Sequence, residues 1–303
     1  MSGILLALSS ALTWGCGDFL SGLMSRRLPL LAVLLFSQAV GIPLIGILAL
    51  ARGVPADWTF VPVAALAGLT GLLGLAALFR GMALGAISIV APISATGAAL
   101  PVVVGLFTGE RPTALQGVGV LFALAGVVLA SRPANPAHPA EPSRSTDPTA
   151  LSGTTGPAAQ PPRILAAGAG FGLLAALGFG LFYLVLRAAS DARGQDPFWP
   201  VLVARAASTI FLGSLCLVLK PRLAVRPAQA GTLALAGAMD VSANALYAAA
   251  STTGIGPLAA VLSSLFPVIT VALARIFLQE RLSISQGLGV LSALAGVALI
   301  AWR

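Results

Sequence analysis

The sequence predicts an all-α polytopic membrane protein, with ten transmembrane helices arranged as two inverted five-helix repeats around a central cavity. First, 58% of the 303 residues are hydrophobic and only 9% are charged, with a mean hydropathy of +0.99. A soluble chain of this length needs more charge to cover its surface. Second, the apolar residues fall into ten runs of about the length that crosses a bilayer. Third, the end of the chain largely repeats an earlier stretch.

The apolar runs define the predicted spans, five on each side of a proline-rich segment. They are residues 3–24, 30–51, 59–79, 86–107 and 113–131, and then 164–187, 198–219, 229–250, 256–277 and 283–302. Residues 132–163 hold eight prolines among Ser, Thr and Ala, a composition that forms no core. We therefore predict a first repeat at 1–131, a disordered linker at 132–162 and a second repeat at 163–303.

The internal duplication determines how the two halves insert. Gly-Glu-Arg-Pro-Thr at 109–113 corresponds to Gln-Glu-Arg-Leu-Ser at 279–283, and Ala-Gly-Val at 125–127 recurs at 295–297. Because each half has an odd number of spans, the second copy must insert upside down relative to the first. The result is an inverted repeat with a pseudo-twofold axis in the membrane plane.

The fifth and tenth spans begin with the same local signals. Residues 113–116 and 283–286 both match the capping-box pattern, which satisfies free backbone N–H groups at a helix start. Glu110 and Glu280 precede them and suit the positive end of a helix. These glutamates are interpreted as structural rather than as substrate ligands.

Charge, cysteine and histidine usage narrows the possible functions. The net charge of +8 comes mostly from arginines at the ends of apolar runs, which is typical of headgroup anchors and not of nucleic-acid binding. Cys16 and Cys216 lie inside apolar runs and fit no disulfide or metal pattern. The single histidine, His138, lies in the linker. We expect no metal site and no cofactor.

Several sequence features resemble one transporter family. They are Leu-Thr-Trp-Gly at 12–15, the segment 86–101 with Pro92, and the two duplicated blocks. Together they resemble the EamA-like ten-span branch of the drug/metabolite transporter superfamily. The resemblance implies two inverted repeats, a central cavity, and transport of small organic solutes without ATP. Where many relatives carry Asn after Trp-Gly, this chain has Cys16, Gly17 and Asp18, so no relative's specificity is transferred to it.

Two acids lie within predicted spans, Asp18 and Asp240, and a charge inside a membrane requires an explanation. Each acid belongs to a polar stripe with steps of three and four residues, which lies on one helix face. The stripes are Ser10, Trp14, Asp18, Ser21 and Ser25 in the first span, and Asp240, Asn244, Tyr247 and Ser251 in the eighth. We predict that Asp18 or Asp240 binds a proton or a cationic substrate group. The alternative is a structural ion pair or a carboxylate capped by nearby polar groups.

Other residues complete the candidate site. Arg205 in the seventh span aligns with Gln38 in the second, and it either pairs with one of the acids or binds a substrate carboxylate. Among the aromatic residues, Tyr183 is a candidate for the cavity lining beside Trp14 and Tyr247, with Phe79 and Phe182 as further possibilities; the alternative for these side chains is helix packing or lipid contact.

Prolines mark the predicted gates. Proline removes a backbone hydrogen bond within a helix, which a membrane tolerates only inside protein or beside a cavity. The candidates for kinks or gates are Pro92, Pro101, Pro257 and Pro267.

The sequence therefore predicts a secondary active transporter of a bacterial inner membrane that works by alternating access. Export of a metabolite, amino acid or drug is the first choice, import of a small nutrient the second, and a non-transporting sensor or assembly protein the alternative of another class. No motif of a membrane-embedded enzyme is found. Expected partners are a small-molecule substrate, the lipid bilayer and protons as coupling ion, in a monomer or homodimer.

The orientation in the membrane has two opposing indications. The family resemblance implies that both termini lie in the cytoplasm, and this is the expectation we adopt. The distribution of arginines over the predicted loops mildly favours the opposite orientation.

Overall fold

The computed structural model describes residues 2–107, 113–130, 162–192, 198–221, 223–250, 262–263, 265–280 and 282–302. The described part of the first half contains α1 (Ser2–Ser25), α2 (Leu30–Ala51), α3 (Val61–Leu84), α4 (Ile87–Ala95), a 3₁₀ turn (Thr96–Ala98), α5 (Ala99–Phe107) and α6 (Ala114–Ala130). That of the second half contains α7 (Pro162–Ala192), α8 (Phe198–Leu219), α9 (Pro227–Ala250), α10 (Phe266–Phe277) and α11 (Ile284–Ala301).

The prediction of an all-α polytopic membrane protein is confirmed. The described residues contain helices and no strands, and five helices are long and apolar enough to cross a membrane. These five are residues 3–25, 30–51, 61–84, 167–190 and 198–219. The predicted linker at 132–162 lies almost wholly outside the described residues, and the domain boundaries stay a prediction.

The fourth predicted span is broken in the middle. Pro101 has no N–H group for the carbonyl of Gly97, four residues earlier, and the chain forms the 3₁₀ turn Thr96–Ala98 at this point. The hydroxyl of Thr96 donates to the carbonyl of Ile93 at 2.7 Å. The span therefore consists of two short helices, α4 and α5, which pack against α7.

Helices of one half pack mainly against helices of the other. α1 contacts α9 and α10, while α7 contacts α3 and α4; α2 contacts α8, and α6 contacts α11. Each pairing thus has its counterpart with the two halves exchanged. This reciprocal pattern is consistent with the inverted repeat that the duplication predicts.

The contact between α6 and α11 is a seam of glycine and alanine. A Cβ atom at Gly126 would lie 2.7 Å from the carbonyl oxygen of Gly289, and one at Gly289 would lie 2.8 Å from that of Gly126. Gly119 and Gly296 approach each other in the same reciprocal way. Such small residues let two helix backbones approach closely where no hydrophobic effect drives helices together.

The turns of the chain define two faces. The end of α1, the α3–α4 turn and the α10–α11 turn meet at one face, where Arg26 contacts both Gly85 and Glu280. We name it the Arg26 face. α1 begins and α11 ends at the opposite face, which we name the terminal face. Large apolar side chains such as Leu73, Leu121 and Ile210 are exposed on the outside of the bundle, as lipid contact requires.

Candidate functional site

A polar cavity lies inside the bundle, between α1, α2, α3, α8 and α9. Its volume is about 20 Å³, enough for about one water molecule. Its polar lining consists of Trp14, Asp18, Ser21, Ser37, Gln38, Arg205 and Asp240, and its other walls are Gly17, Leu75, Phe79, Ala236 and Gly237. The cavity therefore brings together polar residues from both halves of the chain.

A close approach of α1 to α9 places the two acids in one cavity. A Cβ atom at Gly17 would lie 3.3 Å from the carbonyl oxygen of Ala236 and 3.4 Å from Cβ of Met239. Glycine at position 17 therefore allows the two helices to touch next to Asp18 and Asp240. The two carboxylates are near enough for their charges to interact.

Asp240 is the acid that pairs with Arg205. The guanidinium of Arg205 donates through Nη2 to Oδ2 of Asp240 and through Nη1 to Oε1 of Gln38, at 2.7 Å for the second bond. Nε2 of Gln38 donates to the hydroxyl of Ser208 at 3.2 Å, which fixes the amide orientation. The side chain of Arg205 is 12% exposed and that of Asp240 is 40% exposed, so the pair lies at the cavity wall.

Gly41 makes room for this arginine on α2. A Cβ atom there would lie 2.7 Å from Nη1 and 2.9 Å from Cδ of Arg205. The guanidinium consequently lies across the surface of α2 at the place where a side chain is missing. Sequence reasoning did not single out Gly41 or Ser208, since only the helix packing shows what they touch.

Asp18 has a different environment from Asp240. Among the residues that the structure describes, none forms a hydrogen bond or an ion pair with its carboxylate. With Asp18 and Asp240 ionised and Arg205 protonated, the cavity carries a formal charge of −1. That charge is the most informative property of the site.

Three further predicted site residues, Tyr183, Asn244 and Tyr247, do not line this cavity. The rings of Trp14 and Tyr247 are 6.2 Å apart, and Tyr183 on α7 is within electrostatic range of Asp18, Asp240 and Tyr247. Tyr183 is nevertheless 46% exposed. The amide of Asn244 donates to the backbone carbonyl of Asp240 at 2.7 Å, so it binds its own helix.

The three predicted gate prolines that the structure describes do not line the cavity. Pro92 lies within α4, and Pro101 follows the 3₁₀ turn that interrupts the fourth span. Pro267 occupies the first turn of α10, where a helix needs no N–H donor, instead of interrupting a helix. Pro257 lies outside the described residues.

Glu280 contacts a different helix from the one that the sequence suggested. Its carboxylate accepts hydrogen bonds from the backbone N–H groups of Ile87 and Ser88 at the start of α4, in the other half of the chain. The helix that follows it, α11, is capped by Ser283 and Gln286 as a complete capping box. The equivalent box of Thr113 and Gln116 is also present. Both capping-box predictions are confirmed.

Potential metal ligands are not clustered. Within the described residues, no three His, Cys, Asp or Glu side chains lie close enough together to hold a metal ion. The cavity lining offers two carboxylates, one guanidinium, one amide, two hydroxyls and two aromatic rings.

An all-helical protein whose halves interlock around a charged cavity within the membrane has the architecture of a membrane transporter. The model of the EamA-like transporter family matches residues 1–132 and 166–302, and the chain belongs to this family. It is thus a multi-pass membrane transporter of the drug/metabolite transporter type, and the resemblance seen in the sequence is confirmed.

Solved structures share the fold, and one crystal structure illustrates the likeness. It aligns with a TM-score of 0.60 and 16% sequence identity, over 98% of this chain and 96% of that chain. At this identity the likeness concerns the fold alone. No curated protein sequence matches the chain.

Proposed function

We propose that the protein is a secondary active transporter that moves a small organic solute across a bacterial inner membrane by alternating access. The preferred direction is export of a metabolite, amino acid or drug. The observation that supports this proposal is the environment of Asp18, which shares a cavity with the Arg205–Asp240 pair and has no partner among the described residues.

The charges in the cavity suggest how transport is coupled. Arg205 neutralises Asp240, and one carboxylate is left over in a membrane-embedded cavity. Such a group is costly unless it acquires a positive partner. A proton and the cationic group of a solute both satisfy that need, and they compete for one carboxylate. Binding of the solute would then release the proton, which is the basis of an exchange cycle.

The walls of the cavity limit the solute. In this state the cavity holds about one water molecule, so it must open to admit a solute, and the chemistry of its lining rather than its volume selects that solute. Trp14, Phe79 and Leu75 offer apolar and aromatic surface close to the carboxylate. An aromatic ring also attracts a cation over its face. A small amphipathic amine therefore fits the site better than a multiply charged anion.

Untargeted metabolite profiling of cells and medium tests the function. The comparison is between cells that express the wild type, Asp18→Asn, or Asp57→Asn as the matched control. Asp57 lies in the α2–α3 loop, where it accepts hydrogen bonds from Thr59. We expect at least one compound to accumulate in the medium with the wild type and with Asp57→Asn but not with Asp18→Asn.

Other outcomes distinguish the alternatives. Depletion of a compound from the medium by the wild type would support import. Equal profiles for all three proteins and the empty vector, over a library that includes small amines, would contradict the transport proposal and favour a sensor or assembly protein.

The orientation is part of the proposal and is tested separately. We place both termini in the cytoplasm, although exposed cations such as Arg27, Lys220 and Arg226 lie on the Arg26 face and favour the reverse. A reporter active only in the periplasm, fused after the last residue, should be inactive. Activity of that fusion would reverse the orientation.

A further inference from the structure

Glu280 is bound by four donors that all belong to the other half of the chain. Oε1 accepts from the backbone N–H of Ile87 at 3.1 Å and from Nη2 of Arg26 at 2.8 Å. Oε2 accepts from the backbone N–H and the hydroxyl of Ser88, at 2.9 and 2.6 Å. The side chain of Glu280 is only 10% exposed. A carboxylate held this completely is a fixed structural element in this state of the protein.

Arg26 extends the same network to the end of α3. Its Nε donates to the carbonyl of Met82 and its Nη2 to that of Gly85, each at 3.0 Å. Arg26 thus binds carbonyl groups at the C-terminal end of one helix, and Glu280 binds N–H groups at the N-terminal end of the next. Both interactions match the partial charges of the helix ends. Together they connect α1, α3 and α4 to the α10–α11 turn.

This network lies at the Arg26 face, on the same helix as part of the cavity lining. Arg26 follows α1 directly and is eight residues from Asp18, a rise of about 12 Å along a helix. Ser21 is the cavity-lining residue that is nearest to Arg26 in the sequence, and its side chain is buried. The ring centroids of Phe19 in α1 and Phe277 in α10 lie 5.9 Å apart, which is a further contact between the two halves of the chain. The network and this ring contact therefore join the two halves of the chain at the Arg26 face.

We propose that Arg26, Glu280, Ile87 and Ser88 form a latch that holds the Arg26 face closed, and that Glu280 must leave α4 before this face can open. The inference rests on the alternating access proposed above, since only a transporter with two openings needs to release one face. All four hydrogen bonds of the Glu280 carboxylate cross between the halves, so separating the halves at this face breaks them together. The latch is therefore a cooperative barrier and not a set of independent contacts.

Thiol accessibility tests the latch without a known substrate. The reporter is Ser21→Cys in a chain in which Cys16 and Cys216 are replaced by alanine. A membrane-impermeant maleimide is added to right-side-out and to inverted vesicles, and the initial rate of labelling is measured from each face. With the latch intact, we expect labelling from the terminal face and almost none from the Arg26 face.

Two variants weaken the latch by different amounts. Arg26→Gln removes the ion pair but leaves Glu280 on the N–H groups of α4, whereas Glu280→Gln removes the charge that both interactions use. We expect Glu280→Gln to raise labelling from the Arg26 face at least about tenfold, a change that corresponds to about 1.4 kcal/mol. Arg26→Gln should have an intermediate effect. Arg27→Gln is the matched control, because Arg27 is exposed on the same turn and takes no part in the network.

The outcomes separate the latch from the transport proposal. One outcome is labelling from the terminal face in all variants, with equal labelling from the Arg26 face in Glu280→Gln, Arg26→Gln and Arg27→Gln. This outcome would overturn the latch but not the transport proposal. Labelling from neither face in any variant would overturn both. Size-exclusion chromatography shows whether Glu280→Gln folds. If it does not, the labelling rate of Arg26→Gln is compared with that of Arg27→Gln, and this comparison alone tests the latch.

Discussion

The guanidinium of Arg205 in α8 donates a 2.7 Å hydrogen bond to the amide oxygen of Gln38 in α2, across the boundary between the two halves. These residues occupy equivalent positions in the duplicated sequence. One copy therefore carries a neutral hydrogen-bonding group where the other carries a charge. The hydrogen bond to Gln38 holds the guanidinium of Arg205, the one cation of the described cavity lining, beside Asp240. Asp18 forms no ion pair among the described residues.

Removing Arg205 should destabilise the protein more than removing Asp240. Arg205→Gln leaves two carboxylates in one cavity, whereas Asp240→Asn leaves Arg205 bound to Gln38 in the cavity that Asp18 also lines. We expect Arg205→Gln to cost about 2 kcal/mol, less than the roughly 3–5 kcal/mol of a fully buried pair, because Asp240 is 40% exposed. Thermal unfolding of the purified protein, followed by fluorescence-detected size exclusion, measures the difference.

The double variant Arg205→Gln/Asp240→Asn serves as the control for that comparison. It should be more stable than Arg205→Gln alone, because it removes the uncompensated charge. Additive losses in the double variant would show that the pair is energetically independent and would contradict the assignment.

Adding one methyl group at Gly41 should impair transport without changing any charged residue. The new Cβ atom would lie within 3 Å of two atoms of Arg205 and would force the guanidinium away from Gln38 and Asp240. We expect export of the solute identified by profiling to fall about tenfold or more, since a small misplacement of a binding group is costly. Gly46→Ala in the same helix is the matched control, because its nearest neighbour would be 4.0 Å from the new Cβ. Equal rates for the two variants would exclude a role for Arg205 geometry in transport.

The seam between α6 and α11 should not tolerate even alanine. Gly126→Ala places a methyl group 2.7 Å from the carbonyl oxygen of Gly289, and both atoms belong to packed backbones. We expect a loss of about 2 kcal/mol from overpacking, seen as a lower unfolding temperature. Gly117→Ala in the same helix has open space around the new Cβ and should be neutral or stabilising by up to about 1 kcal/mol. Similar losses at both sites would indicate an effect on the helix itself and not on the seam.

Proton coupling should depend on a titratable group at position 18. In proteoliposomes, addition of the exported solute should cause proton movement with the wild type and with Asp18→Glu, but not with Asp18→Asn. The charge of Asp18 interacts with Asp240 and Tyr183, and Arg205 lines the same cavity; all three residues are retained in these variants. A pH-sensitive dye inside the vesicles measures the effect. Solute-dependent proton movement with Asp18→Asn would contradict the role of Asp18 and indicate that Asp240 is the coupling residue.

The sequence predicted much of the fold because membrane helices are encoded locally. Apolar length identified most of the spans, and Pro101 marked the break of the fourth span, because each depends on a few neighbouring residues. The end of α3 was less well predicted. It continues to Leu84, beyond the expected end at 79, because Arg80 can remain in an exposed position within the helix.

The residues that line the cavity were predictable in part, but their contacts were not. Helical spacing indicated that Asp18 and Asp240 lie on polar faces, which explains why both line one cavity. Spacing does not show which acid Arg205 reaches, since that depends on how α8 and α9 cross. In the same way, the bond from Glu280 to the start of α4 joins residues 192 positions apart, and no local pattern encodes it.

The reciprocal contact of α6 and α11 also has an evolutionary consequence. Because Gly126 meets Gly289 and Gly119 meets Gly296 in both directions, each copy of the duplicated helix presents the surface that the other copy requires. A single ancestral segment with this pattern would have matched a second molecule of itself in antiparallel orientation. Fusion of two such genes then preserves an assembly that existed before the fusion, and it frees the two copies to diverge at positions such as Gln38 and Arg205.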